Sequence, residues 1–397
     1  MSRDDRTPGR VSATGYLSVG GARHLLPERL RRDLEAAHGG EMALYVMDVD
    51  GSCLRLLAGE KRVPRIIPAQ LGIGPEIPPE SFAALAGAAA EAMPGSGVVP
   101  LALADRALGV VVRVDGPAPG LDASAAEVAL ALEAAGGYTD AVHAARRHKH
   151  TQPAAEMQQN LLPPRIARVS GAEVAGGVLP GYEVAGDFID HAENEDGVWL
   201  AIADAVGKGN EAGALAAVTI GALRASRRSR GGLEEAVGAM SDSILGIGLR
   251  RHAFVTAVVA KWDPATHRLR WITAGHPRPL VLRLNGTLET LTAGVMRPLG
   301  VEDDDARLRA AEALLSPGER LLLYSDGLIE QPDRRTARPV GIDAVGDIVR
   351  GAVDAGAAQL VRRLQDVVIE ASGGRLRDDV SLLVLAVDRD AGVPAGP

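Results

Sequence analysis

The sequence predicts an α+β protein with two domains, and three observations lead to that prediction. The chain has 397 residues, a length typical of two or three domains. Its first part alternates helical patterns with paired strands, whereas residues 166–389 contain eight strand-like and four helix-like segments. Prolines at 153, 163 and 164 interrupt the chain between these parts, so we expect the boundary within residues 150–165.

The N-terminal part begins with residues 1–20, which are polar and rich in Gly, Ser and Thr, and which we expect to be disordered. The following segments alternate between amphipathic helices and paired strands. In chain order they are a helix at about 27–38, a hairpin that turns at Asp50-Gly51, a proline-rich loop at 64–80, a helix at 81–93, a hairpin that turns near Asp105, and a helix from about 123 to 150.

This order of elements resembles a GAF-type sensor domain, in which helices flank a small antiparallel sheet; a PAS-type domain has a similar order. The resemblance rests on the order and on the hairpin PLALADRALGVVVRV. It implies an α/β GAF-like sensor domain at residues 21–145, which binds an unknown small ligand or partner, and a helical linker at 146–165.

The segment DVDGS, residues 48–52, allows two interpretations. It resembles the Asp-x-Asp-Gly-Thr/Ser motif of aspartyl-phosphate phosphatases of the haloacid dehalogenase type, in which Asp48 would be the nucleophile and Asp50 the acid. The alternative is a hairpin turn, for which Asp-Gly is favoured. The nucleophile needs a loop and a helix after the motif, whereas CLRLLAG predicts a returning strand. We therefore favour the hairpin turn.

Composition excludes several classes of function. The formal net charge is −8, and neither residues 1–150 nor the remainder has an excess of basic side chains, so we expect no nucleic-acid partner. Cys53 is the single cysteine, which excludes an intrachain disulfide and a cysteine-based zinc site. No apolar run approaches the roughly 20 residues of a membrane span, and the first ten residues lack the hydrophobic segment of a signal peptide. We expect a cytoplasmic protein without membrane contacts.

Acidic residues in the C-terminal part occur where strands meet turns. A single such aspartate is commonly a cap or a turn residue, but carboxylates from several neighbouring strands repel one another unless cations hold them. Oxygen ligands without nearby His or Cys favour Mg²⁺ or Mn²⁺ over zinc. The residues concerned are Asp187, Asp190, Asp204, Asp326, Asp378 and Asp379.

Eight motifs of this part follow the order found in one protein family. They are QQNLLPP, EVAGDFID, IADAVGKG, FVTAVV, ITAGHPRPL, RPLG, LLLYSDGLIE and RDDVSLLVL. They resemble, over residues 157–388, the bacterial stage-II-sporulation-E-like and stress-response serine phosphatases of the type 2C metal-dependent protein phosphatase superfamily. The resemblance implies an αββα sandwich of two antiparallel sheets, in a phosphatase domain at residues 166–389, followed by a disordered tail at 390–397.

The same resemblance implies a site for two Mn²⁺ or Mg²⁺ ions. Asp204 would bridge both ions, Asp187 would serve one of them directly or through water, and Asp204 and Asp326 are the implied catalytic residues. A water between two such ions loses a proton near neutral pH and attacks phosphorus in line. The implied ligands are Asp187, Asp204, the Ala205 carbonyl, Asp326 and Asp378, with Asp379 as the adjacent alternative to Asp378. The resemblance implies that Asp190 contacts the metal ligands without binding the ions itself.

Other positions remain open. Ala185 stands where the family often has glycine, and no histidine follows Asp204, so the general acid is unassigned. Lys208 either contacts phosphate or is solvated, and His276 is either catalytic or part of a structural turn. The helix at 210–228 has an Ala/Gly-rich face, which the resemblance assigns to switching and homodimer contacts; the alternative is ordinary core packing.

The resemblance implies a serine/threonine phosphoprotein phosphatase, regulated by the N-terminal domain through a helix around 123–162. Its substrate would be a phosphorylated anti-sigma-factor antagonist, whose dephosphorylation releases a sigma factor by partner switching. The alternative is a catalytically inactive pseudophosphatase that docks partners and transmits signals.

Overall fold

The computed structural model describes residues 22–180, 186–247, 253–301 and 308–391. The chain divides into two compact units, the first of which ends at His150 and the second of which begins at Thr151. The disorder expected of residues 1–20, and of the tail after residue 391, lies outside the described residues. Among the described residues, no helix combines the length and the hydropathy that a membrane span requires.

The described part of the first unit contains one antiparallel sheet of five strands with helices packed against it. Its helices are α1 (Leu26–His38), α2 (Phe82–Ala92), α3 (Asp122–Ala135) and α4 (Ala141–Ala145). Its strands are β1 (Met42–Met47), β2 (Cys53–Ala58), β3 (Ile66–Pro68), β4 (Gly97–Leu103) and β5 (Arg106–Arg113), in the order β3-β2-β1-β5-β4.

The centre of this sheet is β1, whose six residues are all buried. Successive side chains of a strand point to opposite faces. Leu44 and Val46 join a core with Leu30 of α1 and Val128 of α3, whereas residues of the other face join a core with Leu85 of α2. Because both faces of β1 are covered, nearly all of its side chains must be apolar, which explains the continuous apolar run in its sequence.

Two local expectations for this unit meet different outcomes. β1 and β2 pair antiparallel, so the hairpin interpretation of residues 48–52 is confirmed. The single helix expected from 123 to 150 is wrong: α3 ends at Ala135 and α4 is a separate short helix. Gly136 and Gly137 follow α3 directly, and glycine disfavours helix continuation because its backbone loses the most entropy there. The proline-rich loop also contains the short strand β3.

The first helix of the second unit is α5 (Pro153–Leu161). Its first residue is a proline, which is favoured at this position of a helix. Its other helices are α6 (Asn210–Arg228), α7 (Leu233–Ile247), α8 (Asp326–Glu330), α9 (Gly341–Arg350) and α10 (Ala357–Ser372). Its strands are β6 (Ile166–Val169), β7 (Ala172–Leu179), β8 (Asp187–Asn194), β9 (Gly197–Ala205), β10 (Val255–Asp263), β11 (Arg268–Ala274), β12 (Leu280–Leu282), β13 (Leu288–Thr290), β14 (Val295–Met296), β15 (Ala311–Leu314), β16 (Arg320–Tyr324) and β17 (Val380–Val387).

These strands form two sheets within the described residues. One has the order β14-β11-β10-β9-β8, with β15 paired to β11; the other has the order β13-β12-β16-β17-β7-β6. Their pairings are antiparallel except that of β11 with β14. One apolar core joins both sheets, for example Ile202 and Val258 with Leu323 and Leu385. Helices α6 and α7 contact the first sheet and α10 the second, so the α+β class and the αββα sandwich are confirmed.

Candidate active site

The ends of several strands bring the predicted aspartates of each sheet to a common edge. In the first sheet β8 begins at Asp187 and β9 ends at Ala205, and antiparallel pairing places Asp187 directly opposite Asp204. On its other side Asp204 is opposite Thr256 of β10. In the second sheet β16 ends before Asp326 and β17 begins after Asp379, and these two ends are neighbours because the strands are antiparallel.

Gly186 allows the chain before Asp187 to approach the Ala205 carbonyl. A Cβ atom at Gly186 would lie 2.3 Å from the Ala205 oxygen, and the Ala205 amide donates to the Gly186 carbonyl at 3.1 Å. No larger residue fits here without displacing β8 from β9. The neighbouring Ala185, which departs from the family pattern, lies outside the described residues.

A second glycine fixes Asp326. A Cβ atom at Gly327 would lie 1.8 Å from the Asp379 carbonyl oxygen, so the chain can pass this point only with glycine. Ser325, which precedes Asp326, donates its amide to the Ser381 carbonyl and accepts the Ser381 amide on its hydroxyl, at 3.0 and 2.9 Å. These contacts attach the start of α8 to the start of β17.

The aspartates surround one cavity of about 450 Å³. Asp204, Asp326, Asp378 and Asp379 line it, together with Ala205. Asp187 does not line this cavity. It is buried, and its carboxyl group forms a side-chain hydrogen bond with that of Asp204. The structure thus brings all the residues proposed as metal ligands to one region. Two cationic side chains, Lys208 and Arg377, also line the cavity.

The electrostatics of this region disfavour negative charge. Burial raises the pKa of Asp187 well above its usual range, and the charges of Asp204 and Asp379 add to the effect. Burial and then Asp326 raise the pKa of Asp204. Burial and the charge of Asp378 raise the pKa of Asp379 to about 7. Carboxyl groups crowded in this way are stabilised in their ionised form by a bound cation.

The donor set fits hard divalent cations. It consists of carboxylate oxygens and a backbone carbonyl, and Oδ2 of Asp187 is buried without a hydrogen-bond partner among the described residues. Such sets suit Mg²⁺ and Mn²⁺. No three of these carboxylates bring their oxygens within 4.8 Å of one another among the described residues. The aspartates therefore share a cavity but are not drawn into one tight cluster.

Asp190 lies outside the cavity and is 1% exposed. Its carboxylate accepts hydrogen bonds from Arg224 at 2.8 Å and from Arg227 at 3.0 Å. Arg224 also donates to the Leu161 carbonyl at 2.6 Å, at the end of α5. Asp190 therefore joins β8, α5 and α6 behind the site.

Gln158 is a residue of the site region that the sequence did not single out. Its side-chain amide donates to the Asp187 carbonyl, which ties α5 to the first residue of β8. Its place in the motif QQNLLPP is the signal that could have identified it. Arg377 lines the cavity and was also not singled out, although it precedes Asp378 in the motif RDDVSLLVL.

His276 is buried and does not line the cavity. Its Nδ1 is 2.8 Å from the Thr256 hydroxyl, and burial lowers its pKa to about 4. The preceding Gly275 has φ +67°, as a tight turn requires. These features favour the structural turn over catalysis.

Comparison with known proteins agrees with this geometry. A family model for stage II sporulation protein E (SpoIIE) matches residues 194–388. The phosphoserine phosphatase RsbU of Bacillus subtilis (strain 168) is 23% identical over 243 residues, which cover 58% of this chain and 68% of RsbU.

Two solved structures share the fold. The SiaA-PP2C domain of Pseudomonas aeruginosa matches with a TM-score of 0.51 and 19% identity, over 59% of this chain and 94% of that domain. The RsbU and RsbW domains of Rv1364c from Mycobacterium tuberculosis match with a TM-score of 0.50 and 24% identity, over 57% of this chain and 62% of theirs. Residues 194–388 therefore match the SpoIIE family model, and their fold and their similarity to RsbU indicate a serine/threonine protein phosphatase domain of the PP2C type.

Proposed function

We propose that this domain hydrolyses phosphoserine or phosphothreonine on a small phosphoprotein, with two Mn²⁺ or Mg²⁺ ions held by its aspartates. The observation that carries the proposal is the cavity lined by Asp204, Asp326, Asp378 and Asp379. Four carboxylates around one cavity form a site for cations rather than for an anionic substrate alone.

Each ligand has a distinct position. Asp204 is paired with Asp187 on the neighbouring strand, and the charge of Asp326 raises its pKa, so Asp204 would hold ions together with both of these aspartates. Asp378 and Asp379 are alternatives for the ligand at the start of β17. When bound, the ions supply an activated water at neutral pH and offset the charge of the phosphoryl oxygens.

The cationic side chains of the cavity suit a phosphorylated substrate. Lys208 and Arg377 lie at exposed positions of its lining, where they attract a phosphate group toward the aspartates. One relative is named a phosphoserine phosphatase, and a second joins an RsbU domain to an RsbW domain. We therefore assign an anti-sigma-factor antagonist as the phosphoprotein, acted on in the cytoplasm.

Regulation by the N-terminal unit is the second element of the proposal. The chain leaves that unit at His150 and enters α5 at Pro153. α5 donates the Gln158 hydrogen bond to Asp187 and packs on α6. A ligand or partner of the GAF-like domain would thus act on Asp187 through α5, and the small-residue face of α6 would serve homodimer contacts.

Phosphate release from a phosphoserine peptide and from a phosphotyrosine peptide of the same sequence tests this function. The purified full chain should hydrolyse the phosphoserine peptide with Mn²⁺, lose activity in EDTA and recover it when Mn²⁺ is restored. Asp326→Asn should be inactive, whereas Asp347→Asn, on the exposed side of α9, should match the wild type. Equal turnover in EDTA, or an active Asp326→Asn variant, would contradict the proposal.

A further inference from the structure

Three side chains of the first unit form a cluster that phosphatase chemistry does not use. They are Asp48 and Asp50, from the turn between β1 and β2, and His148, from the segment after α4. One carboxylate oxygen of each aspartate and one ring nitrogen of the histidine all lie within 4.8 Å of one another. The hairpin interpretation of residues 48–52 explains the turn, but not why a histidine from the far end of the unit meets it.

Asp48 is held rigidly in this cluster. Its side chain is fully buried. Oδ1 accepts hydrogen bonds from the amides of Ser52 and Cys53 at 2.7 and 3.2 Å, and Oδ2 accepts one from the Ser52 hydroxyl at 2.8 Å. These contacts fix the carboxylate so that Oδ2 faces Nδ1 of His148 at 3.3 Å. Hydrogen bonds of this kind orient metal ligands in proteins.

The segment that carries His148 is fixed as well. The Val49 amide, in the same turn, donates to the Arg146 carbonyl at 3.3 Å. The Arg55 side chain of β2 donates from Nε to the Ala145 carbonyl at 2.8 Å. His148 therefore reaches the turn because the backbone just before it is attached to the turn itself and to β2, and folding of the unit brings the three side chains together.

We propose that Asp48, Asp50 and His148 form a metal site for a first-row transition ion such as Zn²⁺. One imidazole with two carboxylates is a donor set that such ions take, with a further position open to water or an external donor. The set differs from the all-oxygen aspartates of the phosphatase domain by its ring nitrogen. His148 is exposed and Asp50 is half-buried, which leaves an entry path for the ion.

A bound ion would connect the turn to the last residues before Thr151. The alternative explanation is an ion pair between His148 and Asp48 that needs no metal. The two explanations differ in whether the cluster binds an ion, because only the first predicts a Zn²⁺ affinity that depends on Asp50 and His148.

Metal titration of the full chain distinguishes them. Protein freed of metal is titrated with Zn²⁺ by calorimetry, and with Co²⁺ by visible absorption, in excess Mg²⁺ to occupy the phosphatase aspartates. The wild type should bind one more Zn²⁺ than His148→Ala or Asp50→Asn, or bind it at least about tenfold more tightly. His150→Ala, in the same HKH run, is the matched control and should behave as the wild type.

Two further measurements keep the outcome decisive. Asp204→Asn should retain this Zn²⁺ site, which separates it from the phosphatase centre and from the fate of the proposed activity. Thermal unfolding in EDTA should give similar midpoints for the wild type, Asp50→Asn and His150→Ala, which shows that the variants are folded. If Asp50→Asn and His148→Ala bind Zn²⁺ with the stoichiometry and affinity of the wild type, the site does not exist.

Discussion

Asp190 shows how much a single buried charge contributes behind the catalytic region. Its carboxylate is 1% exposed and is held by Arg224 and Arg227. Removing one member of a buried ion pair leaves the remaining charges uncompensated. We expect Asp190→Ala to lower the free energy of unfolding by about 3–5 kcal/mol, as measured by urea denaturation. The control is Arg230→Ala, which removes the exposed pair with Glu195 and should change that free energy little. Equal effects of the two variants would contradict this role of Asp190.

His276 makes the stability of the fold depend on pH. Burial lowers its pKa in the folded protein from 6.5 to about 4, so between these values the unfolded chain binds a proton at this site that the folded chain does not. Stability is therefore lost as the pH falls from about 6.5 to about 4, by up to about 3 kcal/mol for this residue. Denaturation of the wild type and of His276→Gln across this range should show a smaller loss in the variant. Parallel pH profiles would refute this explanation.

Substitution of two glycines of α6 by alanine should have opposite effects on stability. Gly213 faces α5, where a Cβ atom would lie 2.9 Å from the Ala154 Cβ, whereas Gly221 is exposed with open space around it. Gly213→Ala should cost about 1–3 kcal/mol of unfolding free energy, because α5 must move away. Gly221→Ala should instead stabilise the protein by roughly 0.5–1 kcal/mol through helix propensity. Thermal unfolding checks both, and stabilisation by Gly213→Ala would contradict the close packing of α5 on α6.

At the same scale, the elements that sequence patterns predict are those with strong periodicity. The apolar runs of β9, β10, β16 and β17 are visible in the sequence because these strands are buried on both faces. The continuous helix expected to end near His150 was not found. The Ala-rich residues on both sides of Gly136 and Gly137 favour helix, so the apolar pattern alone does not show that the helix ends before these two glycines. Short edge strands such as β14 have too few residues to show a pattern.

At the scale of the whole molecule, the sequence indicated the aspartates of the phosphatase domain because each follows or opens an apolar strand. What it could not show is side-chain contact between distant segments. The hydrogen bond of Gln158 to the Asp187 carbonyl and the meeting of His148 with Asp48 depend on tertiary packing alone. The choice between Asp378 and Asp379 also remained open, since adjacent residues share one motif.

If Asp204 lies at the centre of a metal-dependent phosphatase site, its substitution must affect catalysis and metal binding together. The turnover number for p-nitrophenyl phosphate is measured for the full chain at saturating Mn²⁺, for the wild type and for Asp204→Asn, with Mn²⁺ binding followed by calorimetry on the same samples. We expect the substitution to lower the turnover number by at least about a hundredfold and to weaken Mn²⁺ binding, while the thermal midpoint in EDTA does not fall. Full activity of Asp204→Asn, with unchanged Mn²⁺ binding, would show that Asp204 is not part of a metal-dependent catalytic site.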